Sequence, residues 1–438
     1  MSESRFSGPS RRPSLLTDQY ELTMVQAALA SGAAERRCVF EVFARRLPEG
    51  RRYGVVAGTG RLLEQLTDFR FGDEELADLE RRGIVDAATL RWLADYRFSG
   101  EITGYGEGEC YLPGSPVLTV EGSFAEAVLL ETFVLSVLNH DSAIAAAASR
   151  MTAAAGERPC LEMGARRTHE EASVAAARAA YIAGFVGTSV LAAGARYDIP
   201  TIGTAAHAFT LLHDSEPEAF AAQIASLGPG TTLLVDTYDV TTGVENAIKA
   251  GGPGLGAVRL DSGDLVAQAH AVRAQLDRLG ARATKITVTS DLDEFAIAAL
   301  AAAPVDSYGV GTQLVTGSGA PTAGMVYKLV AREGANGELL PVAKKSQAKA
   351  GVGGRKWAVR RRDAEGVADL ELLGTGSAQT PAGDEYRPLQ RTLVTHGEVV
   401  ETSGLTEARE RHQASRAELP VTARQLSRGE AAIPTVMS

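Results

Sequence analysis

Between Pro159 and about Val330, short apolar runs alternate with helix-patterned segments, and nothing else in this chain limits its fold so strongly. Strands are expected near Cys160–Met163, Pro200–Gly203, Thr232–Val235, Ala257–Leu260, Lys285–Val288 and Ser307–Val310. Helical patterning fills the gaps at Glu170–Ala183, Thr188–Tyr197, Gly243–Ala250, Leu265–Leu279 and Asp293–Ala303. Strand and helix in regular alternation imply parallel pairing, because each helix carries the chain back across the sheet. Six such units exceed what a short open sheet needs, so a closed barrel is the simpler arrangement. In a barrel the carboxyl ends of all strands open on one face. The residues just past the strands therefore converge: Arg166 and Arg167, His207, Asp236, Asp261 to Asp264, Ser290 to Asp293, and Gly309 to Thr312.

The rest of the chain has a different texture. Residues 1–14 are polar and rich in Pro and Ser, as a disordered tail would be. From Leu15 to Asn139 the periods mix, with helical stretches at Tyr20–Ala30, Glu74–Arg82 and Ala125–Leu138 and alternating runs at Cys38–Phe43 and Tyr111–Val120. This reads as an α+β domain over residues 15–139, followed by the barrel over 140–330 and a C-terminal segment over 331–438. In that last segment Arg332–Leu340 has hairpin character around Asn336–Gly337. The basic, glycine-rich stretch Lys344–Arg362 reads as loop and strand, and Ser403–Pro420 as a polar surface helix.

With 438 residues, 45% of them hydrophobic and 22% charged, the chain has the balance of a soluble globular protein of more than one domain. A formal charge of −10 argues against general binding to nucleic acid, whose phosphates attract basic surfaces. An anionic substrate must then be held by a local cluster of arginines, lysines and backbone N–H groups. Cys38, Cys110 and Cys160 are widely spaced and form no CxxC pair, so reduced thiols are expected rather than disulfides or zinc. No apolar segment of signal or membrane-spanning length is apparent, and a cytoplasmic location is expected.

The run Arg259-Leu-Asp-Ser-Gly-Asp-Leu265 puts a cation, two carboxylates and a tight turn at a strand-to-helix junction. Asp264 is placed to cap the following helix, but capping explains neither Arg259 nor Asp261. A carboxylate beside an arginine at a barrel mouth suits a sugar hydroxyl, or Mg²⁺ next to a pyrophosphate. Gly309-Val-Gly-Thr312 follows an apolar strand and can cradle a phosphate, although as a motif it is weak. No GxxxxGK[ST] occurs, so ATP is not bound by a P-loop. His207, in Gly203-Thr-Ala-Ala-His207, lies just past a strand among small residues, where a structural and a catalytic role are both open. His169, His213 and His270 have no partner spacing and read as structural. Arg166 and Arg167 can bind phosphate or carboxylate bidentately, whereas Lys344, Lys345, Lys349, Arg355 and Lys356 can equally be an exposed face.

These residues lie within longer runs that resemble the nicotinate phosphoribosyltransferase family from Leu15 to about Arg362. The runs are LLTDQYELTM at 15–24, FEVFARRLP at 40–48, GFVGTS at 184–189, IPTIGTAAHAF at 199–209, RLDSGDL at 259–265, SDLDE at 290–294 and YGVGTQLVTGSGAP at 308–321. Seven in order are specific where each alone is modest, and the helix composition resembles actinobacterial members. The resemblance implies an α/β fold: an irregular TIM-like (β/α) barrel of the type II phosphoribosyltransferases, plus an α+β domain built from both chain ends. It implies joining of nicotinate to phosphoribosyl pyrophosphate on the route to NAD, with Mg²⁺ as cofactor and ATP as co-substrate.

In that family His207 would be transiently phosphorylated, with Arg259 and Asp261 as its catalytic companions. Arg166 and Arg259 would bind carboxylate and pyrophosphate, Asp261 the ribose, and Gly309, Gly311 and Thr312 the 5′-phosphate. Thr188, Ser189, Thr204, Asp264 and Ser290 complete the implied substrate-binding set. Tyr20 would stack on the pyridine ring in a partner's site, implying a homodimer with shared sites. Gly353 replaces a usual proline of the basic loop, and Met163 stands where relatives often carry an aromatic. A nicotinamide phosphoribosyltransferase is the nearest alternative, but Ser189 stands where those enzymes carry aspartate, and serine can donate to a carboxylate. A non-catalytic phosphosugar-binding barrel is the alternative from another class; it would not need His207, Arg259 and Asp261 together.

Overall fold

The computed structural model describes residues 12–344, 352–376, 381, 383–401 and 403–438. The chain divides into two compact units, one comprising residues up to Ala143 together with Thr322–Ser438, the other Ile144–Pro321. The first division falls inside the 25-residue helix Glu131–Ala155. The second comes earlier than the 330/331 boundary expected from sequence, because the strand Met325–Glu333 pairs antiparallel with Arg37–Ala44 and so belongs to the first unit.

That unit is built on a seven-stranded sheet in the order Leu339–Pro341, Met325–Glu333, Arg37–Ala44, Leu118–Ser123, Glu101–Tyr105, Gln390–Thr395, Glu398–Val399. N-terminal and C-terminal strands interleave in it. An interior strand, Arg37–Ala44, is buried on both faces, and Phe40 stacks on Tyr327 with ring centroids 4.9 Å apart. The one carboxylate in that strand, Glu41, is fully buried and is neutralised by Lys356, whose Nζ lies 2.6 Å from Oε2. A four-stranded sheet, Tyr386–Pro388, Lys356–Arg362, Ala368–Thr375 and Thr435–Met437, carries the buried Arg360. Its guanidinium donates to Glu109 at 2.9 Å, Glu371 at 3.1 Å and the Cys110 carbonyl at 2.7 Å.

Several local expectations for this unit need correction. Of the tail, residues 1–11 lie outside the described residues, but Pro13–Leu15 form a 3₁₀ turn with Pro13 and Ser14 buried. Cys110–Tyr111 and Leu118–Ser123 are separate strands rather than one. The helix Leu405–Glu418 lies at the surface as expected, but it buries one stripe, Ala408, His412 and Ser415, which its polar composition hides. Phe124–Ala155 is long and apolar enough by composition to cross a membrane, but its most apolar window is 67% buried inside the protein, as in a core helix.

The second unit carries a six-stranded, wholly parallel sheet in the order Gly187–Thr188, Cys160–Glu162, Ser307–Val310, Lys285–Val288, Ala257–Leu260, Thr232–Leu234. Val258, Leu260, Ile286, Val288, Tyr308 and Val310 are fully buried, which explains why these strands read as near-continuous apolar runs. The expected strand at Pro200–Gly203 is reduced to one parallel bridge between Thr201 and Thr188. The helix expected from Thr188 starts at Leu191, because Gly187–Thr188 pair with Leu161–Glu162 instead. The hydrogen-bonded ladder ends at Gly187–Thr188 and Thr232–Leu234, so the barrel is irregular rather than evenly closed.

Candidate active site

The carboxyl ends of four adjacent strands frame one pocket of about 220 Å³. Met163, Arg166 and Arg167 reach it past Cys160–Glu162, Arg259 and Asp261 from Ala257–Leu260, Thr289 to Asp291 past Lys285–Val288, and Gly309, Gly311 and Thr312 from Ser307–Val310. Its backbone floor depends on Gly309, where a Cβ would sit 2.6 Å from Thr289 Cγ2 and 2.7 Å from Met163 Sδ. Ser290 has φ of 132°, a conformation few non-glycine residues adopt, and strain of this kind gathers at functional sites.

Arg259 is held on three sides. Its Nε donates to Thr289 Oγ1 at 3.0 Å, Nη1 to Thr204 Oγ1 at 2.8 Å, and Nη2 to Asp261 Oδ1 at 3.3 Å. The Thr289 hydroxyl also donates to Asp261 Oδ1. A guanidinium restrained in this way is a preorganised cation, which need not reorient when negative charge develops beside it. Arg166 and Arg167 are exposed on a 3₁₀ turn, and among the described residues neither enters an ion pair.

His207 opens the short helix His207–Leu212 and is half-exposed. Its Nδ1 lies 3.1 Å from Thr237 Oγ1, leaving Nε2 directed toward two carboxylates, 3.9 Å from Asp261 Oδ2 and 4.0 Å from Asp236 Oδ1. Asp236 in turn accepts from the Asp261 backbone N–H at 2.9 Å and from Ser262 Oγ at 2.8 Å, both through Oδ2. Its Oδ1 is buried without a hydrogen-bond partner among the described residues. His207, Arg259, Asp261 and the Gly309 turn thus belong to one strand-end constellation rather than to separate regions.

Other candidates are placed differently. Thr188 is fully buried, and its hydroxyl donates to Glu162 Oε2 while accepting from Val190 N–H at 3.0 Å, which puts it behind the rim. Ser189, next to it, is exposed. Asp264 accepts from Ala267 N–H at 3.1 Å and caps the helix Leu265–Arg278. Tyr20 begins a helix of the other unit and is 45% exposed. In the basic run, Lys345 and Lys349 lie outside the described residues, while Lys356 is a buried partner of Glu41 rather than part of an exposed face. Sequence reasoning missed Thr289, Thr237 and Glu162. Thr289 directly precedes Ser290 and Thr237 directly follows Asp236, both positions already singled out, and that adjacency was the available signal. A larger groove of about 630 Å³ lies at the amino ends of the strands, where Arg158 and Arg273 are spent on backbone carbonyls and on Asp277. That end of a barrel serves stability.

Fold and site together define an α/β-barrel enzyme for a small anionic substrate. Residues 15–139 match the nicotinate phosphoribosyltransferase (NAPRTase) N-terminal domain family. The pncB1 nicotinate phosphoribosyltransferase of Mycobacterium tuberculosis is 58% identical over 429 residues, covering 96% of this chain and 94% of that protein. The Bacillus subtilis nicotinate phosphoribosyltransferase is 37% identical over 329 residues, covering 73% and 67%. The crystal structure of human nicotinic acid phosphoribosyltransferase superposes with a TM-score of 0.82 at 26% identity, covering 96% of this chain and 97% of that one. This chain belongs to the nicotinate phosphoribosyltransferase family.

Proposed function

We propose that this protein forms nicotinate mononucleotide and pyrophosphate from nicotinate and phosphoribosyl pyrophosphate, for NAD biosynthesis, and that ATP is coupled to the reaction through a phosphohistidine at His207. The observation that carries the reading is the restrained Arg259 with Asp261 in the same pocket as two open arginines and a glycine turn. Nicotinate is an aromatic carboxylate and the co-substrate a polyanion, and these groups answer both charges.

The ring nitrogen's lone pair forms the bond to C1 of the ribose while the C1–oxygen bond to pyrophosphate breaks, its electrons leaving with the pyrophosphate. Positive character grows on the sugar ring and negative charge on the leaving group. Asp261 holds the ribose, Arg259 takes up the leaving group's charge, and Arg166 with Ser189 binds the nicotinate carboxylate. Thr204 and Ser290 complete the polar wall, and the Gly309, Gly311 and Thr312 backbone receives the 5′-phosphate. Mg²⁺ suits Oδ1 of Asp236, which accepts no hydrogen bond among the described residues, because that ion takes one or two carboxylates and completes its shell with water and substrate phosphates. When bound it supplies charge neutralisation for the pyrophosphate.

His207 has a separate task. Its Nε2 takes the γ-phosphoryl group of ATP with ADP leaving, and water later releases phosphate from the imidazole. Phosphorylation changes the charge beside Asp236 and Asp261, so the two states bind substrates and products differently, as coupling requires. The same reading places the enzyme in the cytoplasm as a homodimer, with Tyr20 of one subunit stacking on the pyridine bound by the other. It is supported by the exposure of Tyr20 at a helix start and by three free, buried cysteines.

The test is a panel of nicotinate, nicotinamide and quinolinate, each with phosphoribosyl pyrophosphate, with and without ATP, read as mononucleotide and pyrophosphate formed. Nicotinate is expected to be preferred, with ATP increasing turnover. Preference for nicotinamide would replace the substrate, and absence of any mononucleotide would leave a phosphosugar-binding barrel.

A further inference from the structure

Glu162 does not line the pocket, is 1% exposed, and nevertheless touches both segments that carry the proposed carboxylate-binding groups. It ends the strand Cys160–Glu162 and lies in register with Val310 on one side and Thr188 on the other. Its Oε1 accepts from the Gly164 backbone N–H, the first bond of the turn that presents Arg166. Its Oε2 accepts from the Thr188 hydroxyl, which itself accepts from Val190 N–H. Its backbone carbonyl accepts from Ser189 N–H at 2.9 Å. Gly164 leaves no room for a side chain in this arrangement, since a Cβ there would meet Val315 Cγ1 at 2.3 Å.

A buried carboxylate is costly unless its oxygens are satisfied, and the fold has supplied donors from two different loops rather than an apolar residue. Burial pushes the Glu162 carboxyl above the ordinary range, and the Thr188 and Gly164 bonds pull it back. We infer that Glu162 is a positioning residue for the pyridine-acid subsite: by tying the Arg166 turn to the Thr188–Ser189 strand end, it sets the spacing at which both residues grip one carboxylate. The inference rests on the substrate reading above, with Arg166 and Ser189 as carboxylate binders.

The test measures KM and kcat for nicotinate and for phosphoribosyl pyrophosphate in wild type, Glu162→Leu, Thr188→Val, Thr188→Ser and the Glu162→Leu/Thr188→Val double variant. Small misplacement at a binding site costs one to two orders of magnitude, so KM for nicotinate should rise about 10- to 100-fold in Glu162→Leu, which removes both acceptors, and in Thr188→Val. KM for phosphoribosyl pyrophosphate should change less than about threefold, because its subsite is built on other strands. Since both changes break the same bond, the double variant should be no worse than the worse single one, while Thr188→Ser, which keeps the hydroxyl, should behave as wild type.

Parallel rises in both KM values, or multiplied effects in the double variant, overturn the inference while leaving the substrate reading intact. A wild-type enzyme that does not turn over nicotinate overturns the substrate reading and the inference with it. Should Glu162→Leu not fold, the Thr188 pair decides alone: loss in Thr188→Val with recovery in Thr188→Ser supports the inference, and wild-type kinetics in both overturns it.

Discussion

His207 Nε2 lies 3.9 Å from Asp261 Oδ2, so the proposed phosphoryl acceptor and the proposed ribose ligand share one edge of the barrel mouth. A phosphoryl group on that nitrogen would be felt directly by the group that holds the sugar. His207→Ala should therefore abolish the ATP-dependent lowering of substrate KM and the acid-labile phosphate on the protein. Incubation with γ-labelled ATP followed by acid treatment checks it; full ATP stimulation in the variant would refute the coupling role.

Arg259 is restrained by Thr289, Thr204 and Asp261. Removal of a preorganised charge that meets the transition state costs about 10²- to 10³-fold in kcat. Arg259→Ala should lose at least that much. Arg259→Lys should recover only part of it, since an ammonium on a flexible stem cannot satisfy three acceptors in fixed directions. Steady-state kinetics at saturating substrate separates the two, and equal activity of Arg259→Lys and wild type would discount the geometry.

In the proposed reading, selectivity between acid and amide turns on Ser189, which is exposed beside the buried Thr188. An aspartate there repels a carboxylate and accepts from an amide N–H₂. Ser189→Asp should lower the ratio of kcat/KM for nicotinate over nicotinamide by at least about tenfold, or about 1.4 kcal/mol. An unchanged ratio would remove Ser189 from the substrate set.

Ser290 pays for its position with φ of 132°. Such a residue stores about 1–3 kcal/mol, part of which glycine would give back through the unfolded chain. Ser290→Gly should be more stable than wild type by about 1 kcal/mol in urea unfolding and less active. A variant as active as wild type would mean that the hydroxyl has no substrate partner.

His412 gives the pH prediction. In the unfolded chain it titrates near ~6.5, whereas burial holds it at about 3 in the fold, with Nδ1 3.3 Å from the Gly108 carbonyl. Below ~6.5 the unfolded chain takes a proton that the native chain refuses, so stability falls with falling pH by up to ~1.4 kcal/mol per unit until the native value is reached. Above ~6.5 this residue contributes no pH dependence. Urea titrations from pH 7 to pH 4 should show a shallower loss in His412→Gln than in wild type; identical slopes would mean that His412 is protonated in the native protein.

The strand ends are legible because fully buried parallel strands leave uninterrupted apolar runs, which place Arg259, Asp261 and Gly309 at a common rim from the sequence alone. Thr188 and Ser189 could not be told apart, since a two-residue strand leaves no periodicity and only pairing with Leu161–Glu162 decides which side chain turns inward. Lys356 looked like part of a basic surface because its partner, Glu41, lies 315 residues away. The surface helix Leu405–Glu418 conceals its inner face in a similar way, its buried stripe being His, Ser and Ala rather than Leu or Val. What sequence patterning conveys is local, and what it concealed here was settled by partners remote along the chain.

The interleaving of Arg37–Ala44 with Met325–Glu333, and of Glu101–Tyr105 with Gln390–Thr395, carries a consequence for biogenesis. A ribosome emits half of one sheet, then all of another, then the missing half. The parallel sheet of residues 144–321 has every strand it needs before any C-terminal partner strand is made, whereas the N-terminal strands must wait with open edges until Met325–Glu333 and Gln390–Thr395 emerge. Premature termination between Pro321 and Gln390 would therefore leave the parallel strands complete but Glu101–Tyr105 without its Gln390–Thr395 partner, an open edge in the antiparallel sheet.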